Sequence, residues 1–126
     1  MGVRTKMKNG YHQGHFLEKV ACFFLLLKGY LPVKMNFVPK RSKGAGEIDL
    51  IMRKGNTIVF VEVKKRKTFD EAADALSVKQ RMRIVKGSQA FLRDYPEYKD
   101  CYIRYDTIWF IPKRWPIHIC DSFRVL

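Results

Sequence analysis

The pattern along this 126-residue chain predicts an α/β or α+β sandwich rather than a helical bundle, in the order helix, three strands, helices, one or two strands. Three observations carry it. Apolar residues recur at helical spacing between His12 and Lys28. Two runs rich in β-branched and aromatic residues, Glu47 to Arg53 and Thr57 to Lys64, flank a Gly55-Asn56 turn. The passage from the second run to another such strand, Cys101 to Ile111, is long enough for a helical crossover between parallel strands.

Residues 1–11 are polar and basic without periodicity and are expected to form a mobile basic arm, with residues 12–126 as one domain. Phe16, Leu17, Val20, Ala21, Phe24 and Leu27 then mark a helix that Gly29 caps. Its VACFFLLL run is too short to span a bilayer, which takes about 20 apolar residues. Tyr30 to Phe37 reads as a strand that Pro32 confines to an edge. Pro39 to Gly46 is a glycine-punctuated basic loop, and the hairpin follows. Asp70 to Leu76 is a short acidic helix. From Ser77 a longer one presents Val78, Met82, Val85, Gln89 and Leu92 on one face until Tyr95-Pro96 stops it. After the strand to Ile111, Ile117 to Ile119 is a candidate last strand.

At 47% hydrophobic and 13% aromatic, the chain can build a core, which excludes a disordered or disulfide-scaffolded protein. Cys22, Cys101 and Cys120 form no C-x-x-C pair, which argues against a zinc site and for a reducing cytosol. The net charge of +13 points to a polyanionic partner, nucleic acid before membrane. Residues 1–69 hold 15 basic side chains and only four acids: Glu18, Glu47, Asp49 and Glu62.

Those acids invite a chemical reading. If Gly55-Asn56 is a two-residue loop, Lys54 pairs with Thr57 and Asp49 falls opposite Glu62, with Lys64 on the same face. A three-residue loop would send the two acids to opposite faces. Neighbouring carboxylates are uncomfortable when both ionised, and a hard divalent cation with oxygen ligands relieves them. With a lysine beside them, such a pair suits phosphodiester hydrolysis: cation and lysine neutralise charge developing on phosphate, and no side-chain nucleophile is needed. The ordinary alternative is a solvated strand face with structural salt bridges.

The residues GEIDLI and FVEVK, between Gly46 and Lys64, resemble the PD-(D/E)xK core of restriction-endonuclease-like nucleases. From about Gly14 onward the chain is similar to the YraN-type bacterial proteins, relatives of archaeal Holliday junction resolvases. The match includes Gly14, Glu18, Ala21, Gly29-Tyr30, Asn36, Lys79-Gln80-Arg81 and Arg104 to Asp106. Ile48 stands where the motif's name has proline, and the segment between Lys64 and Ser77 is short.

This resemblance implies a restriction-endonuclease-like α/β fold, a central mixed sheet flanked by helices, and a Mg²⁺-dependent site, or one using Mn²⁺. Asp49 and Glu62 would be metal ligands, Lys64 the catalytic lysine, and Glu18 would point in from the first helix. Gln80 is a further catalytic candidate, with a structural alternative: Ser77-x-x-Gln80 is also a capping box. Glu47 either supports Asp49 or simply ends the basic loop. Lys40, Arg41, Lys43, Lys65, Arg66 and Lys67 are the candidate nucleic-acid contacts. Arg104 and Asp106 read as a structural pair near the sheet edge, and His12, His15 and His118 as surface or nucleic-acid contacts. The expected function is metal-dependent cleavage of nucleic acid, DNA favoured and branched DNA included, by a protein with no membrane association and with homodimerisation open. The alternative is a non-catalytic nucleic-acid-binding module of the same fold.

Overall fold

The computed structural model describes residues 2–40, 44–68 and 76–124, with side chains of the first helix described from His15 onward. The elements are α1 (Gly2–Leu27), β1 (Leu31–Phe37), β2 (Ile48–Lys54), β3 (Thr57–Lys65), α2 (Val78–Asp94), β4 (Tyr102–Phe110) and β5 (Ile117–Ile119). The five strands form one sheet in the order β1-β2-β3-β4-β5. The β3 and β4 strands are parallel and every other neighbouring pair is antiparallel, which makes the sheet mixed as predicted. Pro32 lies on the edge strand, as expected of a proline in a sheet, and the register slips beside it between Pro32 and Lys34.

Lys54 pairs with Thr57, so the hairpin loop has two residues. Gly55 has φ 58°, and Asn56 is not in the left-handed region, the pattern of a type II′ turn with glycine at its first central position. The helix α1 ends as predicted: Gly29, at φ 92°, follows its last turn, and the amides of Gly29 and Tyr30 bond the carbonyls of Leu26 and Leu25. Its beginning differs. Residues 2–11, expected to be an irregular mobile arm, are helical, because no proline interrupts the ladder that the apolar residues downstream anchor. The expected acidic helix at Asp70 to Leu76 lies, except for Leu76, outside the described residues.

Alternation along the central strands splits the core in two. One layer packs Ala21, Cys22 and Leu25 of α1 on Leu50, Met52, Val59 and Val61. The other packs Ile84 and Phe91 of α2 on Ile51, Ile58, Phe60 and Tyr105. The buried stripe of α2 is therefore Ile84, Gly87, Ser88, Ala90 and Phe91, whereas Val78 and Met82, expected on the buried face, are 63% and 54% exposed. Gly87 decides this rotation. A Cβ there would stand 2.8 Å from the Gly46 carbonyl oxygen and 3.0 Å from Ile48, so only glycine lets α2 sit this close to the entry of β2.

Candidate functional site

The β2–β3 ladder is paired as far as Leu50 and Val61. At the next step of that register Asp49 faces Glu62, and the Asp49 carboxylate Oδ2 accepts the next hydrogen bond itself, from the Val63 amide at 2.8 Å. That bond orients Asp49 at the mouth of the hairpin. Glu62 stands beside it and pairs with Lys64 at 3.5 Å, both side chains less than one-fifth exposed. Period-two alternation on β3 is what puts Glu62 and Lys64 together.

Around this group lies a cleft of about 250 Å³, lined by Glu47, Asp49, Glu62, Lys64, Gln80 and Arg83 among others. The first turns of α2 supply Gln80 and Arg83, one helical turn apart and hence on one face. From the opposite layer, Glu18 of α1 comes close enough to Asp49 for the Asp49 charge to raise its carboxyl. All four acids of the basic N-terminal half thus gather in one place.

The electrostatics follow from that gathering. Burial, then the Asp49 charge, push Glu62 up to about 8, with Lys64 opposing. Burial, Asp49 and Glu47 likewise push Glu18 to about 8. Asp49 is raised by burial against the lowering bonds from Val63, Glu62 and Glu18, and Glu47 is raised by burial and by Asp49. Glu18 is 8% exposed, yet its Oε2 has no hydrogen-bond partner, and neither has Asn36 Oδ1 nearby. Asn36, held at φ 53°, places its amide 3.1 Å from His15 Nδ1, and that nitrogen lies 4.0 Å from Glu18 Oε2. Crowded, desolvated carboxylates with an orphaned oxygen form an oxygen-rich donor set that fits a hard divalent cation such as Mg²⁺.

Gln80 shows the structural side of its two readings. Its Oε1 accepts from the Ser77 backbone amide and its own backbone amide donates to Ser77 Oγ, both at 3.1 Å, so the capping box is complete while the residue also lines the cleft. Among the candidate nucleic-acid contacts, Lys40, Lys65 and Lys67 are exposed, and the Arg66 guanidinium lies 5.1 Å over the Trp109 ring. Arg41 and Lys43 lie outside the described residues. Sequence reasoning passed over Arg83, although its position three residues after Gln80 was the available signal.

A second cluster lies on β4 and β5. Asp106 accepts from Arg104 Nε and Arg104 NH2 at 2.8 Å, from His118 Nε2 at 2.8 Å and from the Asp121 amide at 2.9 Å. Burial raises this carboxyl, but His118, Arg104 and the Asp121 amide outweigh it and hold it at about 2. The pair stands near the sheet edge, as expected: β5 covers β4 only from Thr107 to Trp109, so Arg104 stays partly exposed while Asp106 is buried. His118, expected at the surface, has a side chain only 2% exposed, held between Asp106 and Lys28. Asp106, His118 and Cys120 bring possible ligand atoms within 4.8 Å of one another, a grouping that cysteine spacing could not reveal. Four donors already occupy the Asp106 oxygens, however, so this cluster needs no ion.

A model of the uncharacterised protein family UPF0102 matches residues 17–110, well over half of the chain. The chain belongs to this family. A UPF0102 protein of Paramagnetospirillum magneticum is 41% identical over 113 residues, covering 90% of this chain and 88% of that one. A UPF0102 protein of Methylorubrum extorquens is 38% identical over 124 residues, covering 98% and 92%. Among solved structures, Archaeoglobus fulgidus Hjc, a Holliday junction resolvase from an archaeal hyperthermophile, aligns with a TM-score of 0.53 and 17% identity over 82% of this chain and 72% of that chain. This UPF0102 member therefore has the resolvase-like α/β nuclease fold that GEIDLI and FVEVK led one to expect. Among the described residues, no helix is long and apolar enough to cross a membrane.

Proposed function

We propose that this protein is a metal-dependent nuclease, a single domain that hydrolyses phosphodiester bonds of nucleic acid, with DNA, branched DNA included, as the favoured substrate. The observation that carries the reading is the convergence of Asp49, Glu62 and Lys64 at the mouth of the hairpin, with Glu18 against Asp49. A structural salt-bridge network would match acids with bases; here three desolvated carboxylates crowd one lysine.

In this reading Asp49 and Glu62 would hold Mg²⁺ or Mn²⁺, with Glu18 as a further oxygen donor beside them. The bound cation supplies charge neutralisation and a more acidic water. The Val63 amide keeps Asp49 oriented. Lys64, on the same strand face as Glu62, donates hydrogen bonds to the phosphate oxygen where negative charge grows, which lowers the barrier because the donor is already in place. Arg83 adds a second fixed positive charge at the rim, and Gln80, its Oε1 committed to the cap, offers its amide N–H to substrate or water. Lys40, Arg41, Lys43, Lys65, Arg66 and Lys67 supply sequence-independent attraction for the backbone.

The test is cleavage of branched, flapped and single-stranded DNA and of RNA with Mg²⁺ or Mn²⁺. Wild type should cut at least one substrate, whereas Lys64→Ala and Glu62→Gln should lose at least about 100-fold in rate while still binding it. Wild type that binds every substrate, cuts none and matches Glu62→Gln would establish the non-catalytic module instead.

A further inference from the structure

The loop joining β4 to β5 carries a feature that the cleft does not use. Trp115 is 86% exposed, the most exposed of the chain's large hydrophobic side chains among the described residues, while the other tryptophan, Trp109, is 3% exposed. An indole left in water forfeits most of the burial free energy that its area offers. The loop around it is built stiffly. The Arg114 amide closes a turn on the Ile111 carbonyl at 3.2 Å, Lys113 takes φ 64°, and Pro112 and Pro116 restrict the chain on either side. A rigidly presented exposed ring loses little entropy when something stacks on it.

Position and charge identify what that something is. Because β3 and β4 are parallel and in register, Glu62 pairs with Thr107, Lys64 with Trp109 and Lys65 with Phe110, and the Arg66 amide extends the ladder to the Phe110 carbonyl. The Trp115 loop leaves the sheet at this same end. Four residues separate Thr107 from Ile111, so the loop begins about 13 Å along the strand from the carboxylates, close to four base-pair steps. Its neighbours are Lys113 and Arg114 within the loop and Lys65, Arg66 and Lys67 at the end of β3. Residues 63–68 and 107–119 contain no acid at all. A flat π surface beside basic side chains is the arrangement that receives a nucleobase, with cations for its phosphates. In a closed duplex both faces of each base are already covered by their neighbours, so only an unpaired, flipped or terminal base is available to an indole.

We infer that Trp115 is a base-stacking platform that selects nucleic acid with unpaired nucleotides, placed beside the cleavage site. This rests on the reading of nucleic acid as the ligand, and not on catalysis. The surface commits to single-stranded character in the substrate, as at a flap, a gap or a branch point.

The test is binding by the full chain in EDTA, so that no cleavage intervenes, at one fixed salt concentration. The probes are a blunt DNA duplex, the same duplex with a 5-nucleotide single-stranded flap, and a single-stranded oligonucleotide. Removing one stacked base should cost Trp115→Ala about 5- to 150-fold in affinity for the flapped and single-stranded probes, and less than 2-fold for the blunt duplex. Trp115→Phe should recover most of the loss. The flapped probe should quench tryptophan fluorescence of the wild type but not of Trp115→Ala, because Trp109 is sealed in the core. An equal effect of Trp115→Ala on all three probes, or no effect on any, overturns the inference while leaving the nuclease reading intact. Failure of wild type to bind any probe overturns both. A loss of self-association in Trp115→Ala, with nucleic-acid affinity unchanged, would assign the ring to a second copy of the chain and also overturn it.

Discussion

Replacing Glu62 by glutamine should make the metal-free protein more stable at pH 8, even as it disables the site. In the unfolded chain Glu62 titrates at its ordinary 4.5, whereas in the fold burial and Asp49 move it to about 8. Between those values the folded state keeps a proton that the unfolded state has released, so unfolding sheds a proton and stability falls as pH rises. The loss begins near pH 4.5 and is complete a little above pH 8. A shift of that size corresponds to about 5 kcal/mol. Glutamine cannot ionise, which removes the penalty; the value of about 8 already includes the Lys64 attraction, so only a weakened hydrogen bond to Asp49, about 1 kcal/mol, is set against it. The net gain is about 4 kcal/mol, or about 15 °C in Tm for a domain of this size. Urea and thermal denaturation in EDTA from pH 4.5 to 8.5 read it directly. The variant should match wild type within about 1 kcal/mol at pH 4.5 and exceed it at pH 8, and added Mg²⁺ should stabilise wild type more than the variant. Wild-type stability that rises from pH 5 to pH 8, or a variant less stable than wild type at pH 8, would refute the crowding argument.

Asp106→Asn should destabilise by about 3–5 kcal/mol at pH 7, because it leaves Arg104 and His118 facing a neutral amide in the interior. Denaturant titration checks this, and the opposite pH window distinguishes it: the Asp106 contribution is present above pH 3.8 and disappears as pH falls through about 2. Gly87→Ala should cost about 1–3 kcal/mol through the 2.8 Å approach to the Gly46 carbonyl, and should lower cleavage further by displacing Gln80 and Arg83, as paired stability and rate measurements would show. Neutralising Lys65, Arg66 and Lys67 together should flatten the logarithmic salt dependence of DNA binding by about 0.7–0.9 for each phosphate that the variant no longer neutralises, measured by titration at four salt concentrations.

Much of the site was legible in the sequence because it rests on one local structure. Glycine at the first position of a two-residue loop sets Lys54 against Thr57, and period-two alternation then carries Asp49 to Glu62 and Lys64 to Glu62's side. The Gly29 cap, the Ser77 capping box and the edge placement of Pro32 were legible for the same reason: each depends on residues within a turn of one another.

What the tertiary structure decided lies in contacts between distant segments, where no periodicity speaks. The rotation of α2 followed from the one position without a side chain, Gly87, against the Gly46 backbone, and it turned Arg83 toward the cleft and Val78 and Met82 toward solvent. Composition flagged Glu18, but only the packing of α1 across the sheet brought its carboxyl to Asn36 and Asp49. Asp106 and His118 became a buried pair because β5 folds back along β4, a pairing that a three-residue strand is too short to announce. A turn is selected by the few residues that form it, and the sequence alone determines it. The depth at which a carboxylate is buried, and therefore its charge, depends on which remote surfaces close over it, and only the assembled sheet and helices decide that.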